Sequence, residues 1–177
     1  MRLPTLAPAL LFASLTLALA PLRAAETPEA RLAALGLKLP ATTAPVANYV
    51  SAVRTGNLVF LAGHISRGED GKVLAGKAGK EFTTEQGAAA AKQTALALLA
   101  TLKKEIGELA KVKRIVRVGG FVNCTPDFTA QPTIMNGCSD LLVAVFGERG
   151  KHARAALGMV SLPLGAVVEI EMVVEVE

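Results

Sequence analysis

The stretch that decides the fold lies at residues 152–177, which read HARAALGMVSLPLGAVVEIEMVVEVE. Its second half alternates between apolar and acidic side chains, with the apolar row at Val168, Ile170, Met172, Val174 and Val176 and the acidic row at Glu169, Glu171, Glu175 and Glu177. A period of two over this length predicts a β-strand with one buried face. The preceding run predicts another strand, and the Leu-Pro-Leu-Gly turn at 162–165 predicts that the two form a hairpin. Arg154 opens this predicted hairpin, and Glu169 lies in its second strand.

Residues 1–24 have the layout of a secretory signal peptide. Arg2 precedes an apolar run at 6–20, and small residues follow at 18, 20, 24 and 25. The run is short for a membrane span and has no stop-transfer flank. We predict cleavage near Ala24, because cleavage after Ala20 would leave Pro21 at the new terminus. An uncleaved N-terminal anchor is the alternative. The sequence therefore predicts one domain at 25–177, periplasmic or secreted, with no membrane attachment after cleavage.

The composition argues against a nucleic-acid partner. The formal net charge of the 177-residue chain is +4, and loss of Arg2 and Arg23 with the signal peptide leaves +2. That charge is small, and basic residues do not cluster on one face. The two histidines and two cysteines show no metal-ligand spacing, so neither a metal nor another cofactor is predicted. Cys124 and Cys138 are expected to be two buried free thiols, with a disulfide as the alternative.

The order of predicted elements is two strands, a helix, a strand, a helix and two strands, preceded by a short N-terminal helix. Strands are predicted at 48–54, 58–62 and 112–123 before the terminal pair, and helices at 27–37, 86–106 and 133–146. This order favours an α+β domain with a mixed sheet of six strands or a similar number, and two main helices on one face. The other face then needs cover, which we expect from oligomerisation with cyclic symmetry.

At several points the sequence resembles the YjgF/RidA family, also called the endoribonuclease L-PSP family. The most specific likeness is Ala153-Arg154, then Leu162-Pro163, then Val168-Glu169-Ile170-Glu171. Further matching segments are Gly56-Asn57-Leu58, Ala62-Gly63, Gly120-Phe121-Val122 and Asp127-Phe128. The longer YjgF-like branch is matched by Pro45-Val46-Ala47-Asn48-Tyr49, and by Asn136-Gly137 before Ser139-Asp140-Leu141-Leu142. The likeness spans roughly residues 37–177 and implies a chorismate mutase-like fold, assembled as a trimer with ligand clefts between subunits.

The resemblance also implies an activity, the hydrolytic deamination of reactive enamine and imine acids such as 2-aminoacrylate. Arg154 matches the family's substrate-binding arginine, whose planar fork suits a carboxylate. Glu169 matches an acidic residue that could orient water and shuttle a proton. Among the substrate-binding positions, Tyr49 matches an aromatic residue of the cleft, and Gly63 and Ala156 match positions whose backbone touches the ligand.

The chain departs from the family pattern at some of these positions. Ala62-Gly63-His64 replaces the usual Ser-Gly-Gln, so a hydroxyl is lost and an imidazole gained. His64 is a candidate acid or base of the cleft, or else a turn residue. Asn136 and Asp140 are both candidates for the family's cleft asparagine. His152, two residues before Arg154, is a candidate for the rim of the pocket.

Three functions follow, in order of preference. The first is a trimeric enamine/imine deaminase that binds a small carboxylate-bearing metabolite on Arg154. The second is a non-catalytic protein that binds a small acid or metabolite in the same cleft. The third is an endoribonuclease, which the mild charge, the single tyrosine and the absence of tryptophan argue against. A hairpin count does not place Glu169 opposite Arg154, so a cleft holding both needs strand twist or a neighbouring subunit.

Overall fold

The computed structural model describes residues 26–42 and 47–177. Residues 1–25 lie outside the described part, and with them the predicted signal peptide; Pro45 and Val46 of the family motif lie outside it as well. The described helices and strands are α1 Pro28–Ala34, β1 Ala52–Thr55, β2 Leu58–Ile65, α2 Thr84–Ile106, β3 Val112–Asn123, α3 Gln131–Phe146, β4 Ala153–Met159 and β5 Val168–Val176. No helix within these ranges has the length and apolar character to cross a membrane.

The five strands of the described residues form one mixed sheet in the order β1-β2-β5-β3-β4. Strands β3 and β4 run parallel, and the other neighbours are antiparallel. Strand β5 lies in the middle, and its apolar row is buried while the acidic row is partly exposed. The α+β class, the mixed sheet and the strand character of β5 are therefore confirmed, with five strands in place of six.

The predicted hairpin between the last two strands is wrong. Strand β4 pairs with β3, and β5 pairs with β2 and β3. Between them a short 3-10 helix at Pro163–Gly165 carries the chain from the sheet edge to its centre. The burial patterns of the two strands explain this difference. Five side chains of β5 are buried, as expected of a central strand with another strand on each side, whereas most residues of β4 are exposed, as suits an edge strand. Helix α3 supplies the crossover that parallel pairing of β3 and β4 requires.

Other element boundaries differ by a few residues. Strand β1 begins at Ala52 instead of residue 48, and β2 continues to Ile65 through an irregularity between Leu61 and His64. Helix α3 begins at Gln131, two residues earlier than predicted. The irregularity in β2 matters most, because it places Gly63 where the ladder is interrupted.

Helices α2 and α3 pack on the same face of the sheet, as predicted. Helix α2 lies against β2 and β5, and α3 lies against β3 and β4. A capping box begins α2: the Thr83 hydroxyl accepts from the Gln86 backbone, and the Gln86 side chain accepts from the Thr83 backbone. The two helices are in close contact at Gly137, where a Cβ would collide with the backbone carbonyl of Ala88. This contact fixes the position of α3.

The opposite face of the sheet has no helix over it within the described residues. It presents Val53, Phe60 and Leu157, which are 54%, 44% and 51% exposed. Strand register places Phe60 beside Val173, on the side of β5 that faces away from the helices. We call this surface the open face. An apolar surface of this kind on a small domain favours contact with another subunit.

We predict that Gly137→Ala destabilises the domain by about 1–3 kcal/mol, because the added methyl group forces α3 away from α2. Chemical denaturation at a fixed protein concentration measures the free energy of unfolding. The matched control is Val143→Ala on the exposed side of α3, which we expect to stay within about 0.5 kcal/mol of wild type. A Gly137→Ala variant as stable as this control would contradict the close helix contact.

Candidate functional site

Arg154 lies near the start of β4 with its side chain on the helix face of the sheet. The register pairs it with Val118, which in turn pairs with the buried Met172. Its Nη1 donates to Asn136 Oδ1 and to Ser139 Oγ, both at 3.0 Å, and its Nη2 donates to the Pro132 carbonyl oxygen at 3.3 Å. Three groups of α3 therefore hold an exposed guanidinium in one orientation.

The guanidinium of Arg154 retains hydrogens for a ligand. Within the described residues, its three contacts use both Nη1 hydrogens and one of the two on Nη2. These contacts leave the Nε hydrogen and one Nη2 hydrogen unused, and the Nε–Nη2 edge of a guanidinium presents one hydrogen from each of these nitrogens. That edge matches the two oxygens of a carboxylate. The site can therefore bind a small organic acid.

Of the two asparagine-position candidates, the structure brings Asn136 to Arg154. Its side-chain oxygen accepts from the guanidinium, whereas Asp140 is exposed on the next turn and makes no such bond. An amide oxygen keeps the positive charge of Arg154 uncompensated, which a carboxylate at the same distance would not do. This arrangement preserves the attraction for an anionic ligand.

Ser139 and His152 extend this cluster. The Ser139 hydroxyl lies 3.0 Å from His152 Nε2, and His152 Nδ1 lies 2.7 Å from the Gly150 carbonyl oxygen. Burial lowers the pKa of His152, and the positive charge of Arg154 lowers it further, while the Gly150 carbonyl acts in the opposite direction. A neutral imidazole, a hydroxyl and a guanidinium are thus connected in sequence.

Glu169 lies on the open face, away from Arg154. It pairs with Phe121 and Ile65, and its carboxylate rests against Gly63, where any Cβ would collide with it. Burial raises its pKa, and the nearby charge of Glu171 raises it further. Gly63 therefore matters here because it lacks a side chain. Within one chain, the two predicted catalytic residues are on opposite faces of the sheet.

His64 is a residue of β2, and its ring lies between this strand and α2 with a hydrogen bond at each nitrogen. Nδ1 is 2.8 Å from the Ala62 carbonyl oxygen, and Nε2 is 2.8 Å from Thr101 Oγ1. Burial lowers its pKa, partly offset by the Ala62 carbonyl. His64 is therefore a residue of strand β2 and not of a turn, and it is not a cleft residue beside Glu169 within one chain, since the two side chains point to opposite sides of the sheet. Ala156 lies on the helix face of β4, opposite Gly120.

Tyr49 lies at the other edge of the sheet. It precedes β1, it is 53% exposed, and four inter-strand steps separate β1 from β4. At about 4.8 Å per step, the two edges are roughly 19 Å apart. Tyr49 and Arg154 can therefore share a site only if they come from different subunits.

A cavity of about 460 Å³ lies at the far end of β4. It is lined by Lys77, Cys124, Thr125, Pro126, Phe128, Gln131, Gly158, Met159 and Val160. Gly158 is four residues from Arg154, or about 13 Å along the strand. Cys124 and Cys138 are both buried free thiols, as expected from the sequence.

Sequence patterns predict no role for Ser139 and only a rim position for His152. Two spacings carried a signal. Asn136 and Ser139 are three apart on a helix, and His152 and Arg154 are two apart at the start of a strand, so each pair shares a face. The contact of α3 with β4 could not be predicted, because the hairpin prediction placed β4 beside β5 and not beside β3.

Comparison with known proteins gives matches over nearly all of the described chain. Residues 29–176 match the family model described as "YjgF/chorismate_mutase-like, putative endoribonuclease". Protein TCP17 of Trypanosoma cruzi is 43% identical over 147 residues, which cover 82% of this chain and 92% of that protein.

Two solved structures are similar in both sequence and fold. The protein Atu1372 of Agrobacterium tumefaciens, of unknown function, is 38% identical with a TM-score of 0.78, covering 85% of this chain and 94% of that one. A Shewanella oneidensis protein with the same endoribonuclease designation is 34% identical with a TM-score of 0.81, covering 85% and 99%.

We predict that Glu169→Gln raises the melting temperature at pH 7 by roughly 2 °C. A carboxyl group whose pKa is raised by folding destabilises the folded state once the pH exceeds its unfolded value of about 4.3. The amide removes this penalty, so the gain should shrink towards zero as the pH falls below 4. Differential scanning calorimetry across this range measures it. Glu175→Gln, on the same face of β5, is the control: an equal gain there would assign the effect to any lost charge.

Proposed function

Since this chain belongs to the YjgF/RidA family, we propose that it is an enamine/imine deaminase. It hydrolyses small reactive enamine or imine acids of the 2-aminoacrylate type to 2-keto acids and ammonia. The observation that carries the proposal is the exposed Arg154 guanidinium, held by Asn136 and Ser139 with one edge available for a carboxylate.

Arg154 binds the carboxylate of the substrate and fixes the position of the adjacent imine carbon. The interaction is charge-assisted and bidentate, which provides orientation as well as affinity. Asn136, Ser139 and the Pro132 carbonyl hold the guanidinium from the α3 side, so the substrate approaches from the exposed edge of β4.

Glu169 enters the proposed site through assembly. In one chain its carboxylate lies on the open face and Arg154 lies on the helix face. In the proposed trimer, the open face of one subunit meets the β4 edge of the next. Apolar side chains at Phe60, Val53 and Leu157 support such a contact. The same assembly would bring Tyr49 of one subunit towards Arg154 of another.

The second candidate is a non-catalytic protein that binds a small acid in the same cleft. It is favoured by Ala62, which lacks the hydroxyl of the family's usual serine, and by the separation of Glu169 from Arg154 within one chain. Export to the periplasm or beyond, predicted from residues 1–24, would separate the protein from the cytoplasmic enzymes that generate enamine acids. An endoribonuclease ranks third, since a formal charge of +2 after signal cleavage offers little attraction for RNA.

We expect the purified protein to accelerate the decay of 2-aminoacrylate, generated in the assay by a dehydratase. Arg154→Ala should lower kcat/KM about 100-fold, because it removes the cation that binds and orients the carboxylate of the substrate. Arg154→Lys should recover only part of this loss, since an ammonium lacks the planar fork. Formation of the keto acid measures the rate.

The comparison between binding and turnover separates the two candidate functions. A wild-type protein that binds keto acids without accelerating decay supports the binding protein and excludes the deaminase. If neither wild type nor Arg154→Ala affects decay or binds keto acids, both candidates fail. Thr133→Ala is the matched control and should have wild-type activity, because it removes an exposed α3 hydroxyl that is not among the groups bonded to Arg154.

We also expect the mature protein to be a trimer in light-scattering measurements coupled to size-exclusion chromatography. Phe60→Glu should dissociate it, because it places a charge in the apolar open face. Val143→Glu, which adds the same charge on the exposed side of α3, should leave the trimer intact. A monomeric wild-type protein would contradict the shared cleft.

A further inference from the structure

We propose that Ser139 and His152 form a proton relay beside Arg154, in which the Ser139 hydroxyl passes a proton between the attacking water and the His152 imidazole. The relay rests on the proposed function, because it supplies the acid-base step at the same site. Ser139 touches the water, and His152 acts through Ser139.

The hydrogen bonds define the direction of the relay. The Gly150 carbonyl can only accept, so His152 Nδ1 at 2.7 Å carries a hydrogen and Nε2 of the neutral ring is an acceptor. Ser139 Oγ accepts from Arg154 Nη1 at 3.0 Å, which leaves its own hydrogen for Nε2, also at 3.0 Å. The hydroxyl therefore connects the cation that binds the substrate to a base.

The charges around His152 keep the ring neutral near pH 7. Its pKa is lowered first by burial and then by Arg154, against the opposing effect of the Gly150 carbonyl. Lys151 and Glu148 pair with each other at 2.9 Å, and Arg149 donates to the Val112 carbonyl. The remaining charged or titratable groups are Asp140 and Cys138 on α3 and Lys113, Arg114 and Arg117 on β3. Arg117 pairs with Glu171 on the open face.

Other groups near Arg154 are poor substitutes as a base. Burial raises the pKa of the Cys138 thiol to about 12, so it stays protonated. His64 is already bonded at both nitrogens. Glu169 lies on the opposite face of its own chain, and in the proposed trimer it enters from a neighbouring subunit, where it can orient the water while the relay stores its proton.

The relay accounts for each proton in the hydrolysis of a protonated imine, C=NH2+. The water oxygen bonds to the imine carbon, and the electron pair of the C=N π bond moves to nitrogen. One water proton passes to Ser139 Oγ while the proton of Ser139 passes to His152 Nε2. The imidazolium then returns a proton through the hydroxyl to the amine nitrogen. The C–N bond breaks with its electron pair on nitrogen, the hydroxyl oxygen becomes the keto oxygen, and its proton leaves with ammonia as ammonium.

The kinetic test uses His152→Gln, whose amide can still bond to Ser139 but cannot store a proton. We expect kcat to fall about 100-fold with KM within about threefold of wild type. The wild-type loss of activity at acidic pH, set by a His152 pKa below about 6.5, should disappear in this variant. Ser139→Ala should lose a similar factor in kcat, and Ser139→Thr should recover part of it. Thr133→Ala is the control on the same helix.

A second test needs no turnover. The chain has two histidines, so nitrogen NMR of the imidazole rings distinguishes them, and Ser139→Ala identifies the signals of His152. We expect a neutral ring protonated on Nδ1 at pH 7. Arg154→Ala should raise the His152 pKa, since it removes a nearby positive charge.

The outcomes separate the relay from the proposed function. An active wild type with an equally active His152→Gln variant and an unchanged pH profile overturns the relay and leaves the deaminase standing. A wild type without deaminase activity overturns the function and, with it, the relay that supplies its acid-base step. A charged ring at pH 7, protonation on Nε2, or a His152 pKa indifferent to Arg154→Ala overturns the relay.

Discussion

The structure depends on the insertion of β5 between β2 and β3. Five of its side chains, from Val168 to Val176, are buried against the helices, and its backbone bonds to a neighbour on each side. At about 1.5–3 kcal/mol for each large apolar side chain buried, this row is a major source of stability. Its placement forces β4 to the edge beside β3, under α3. That edge position is what exposes Arg154 to a ligand.

Periodicity in the sequence was sufficient to predict the faces of the elements but not their neighbours. The alternation in β5, the Thr83 cap of α2 and the two helices on one face all follow from local patterns. The pairing of β4 does not, because a proline-glycine turn between two strands is compatible with a hairpin or with a crossing to another position. The strands that pair with β5 on each side decide between a hairpin and a crossing. This pairing involves residues more than a hundred positions away, such as Asn57, whose side chain donates to Glu175.

For the candidate site, too, local patterns predicted individual residues but not which of them lie together. The family resemblance implies the role of Arg154, and the structure adds the groups that surround its guanidinium. The choice between Asn136 and Asp140 needed the contact of α3 with β4. The separation of Glu169 from Arg154 also follows from strand pairing. The register of β4 and β5 with β3 places Arg154 on the helix face and Glu169 on the open face. Tyr49 lies at the opposite edge of the sheet, so one subunit alone cannot bring Tyr49 and Arg154 into one site.

The close contact of Gly137 with Ala88 has a consequence for the entropy of ligand binding. Because α3 cannot slide over α2, Asn136 and Ser139 are fixed in space, and they in turn restrict the rotamers of Arg154 before any ligand arrives. An arginine loses up to about 2 kcal/mol of side-chain entropy when it is immobilised. In this fold most of the side-chain entropy of Arg154 is already lost before the ligand binds, so a small acid with few contacts of its own can bind measurably. The glycine between two helices thereby contributes to the affinity of a site it does not touch.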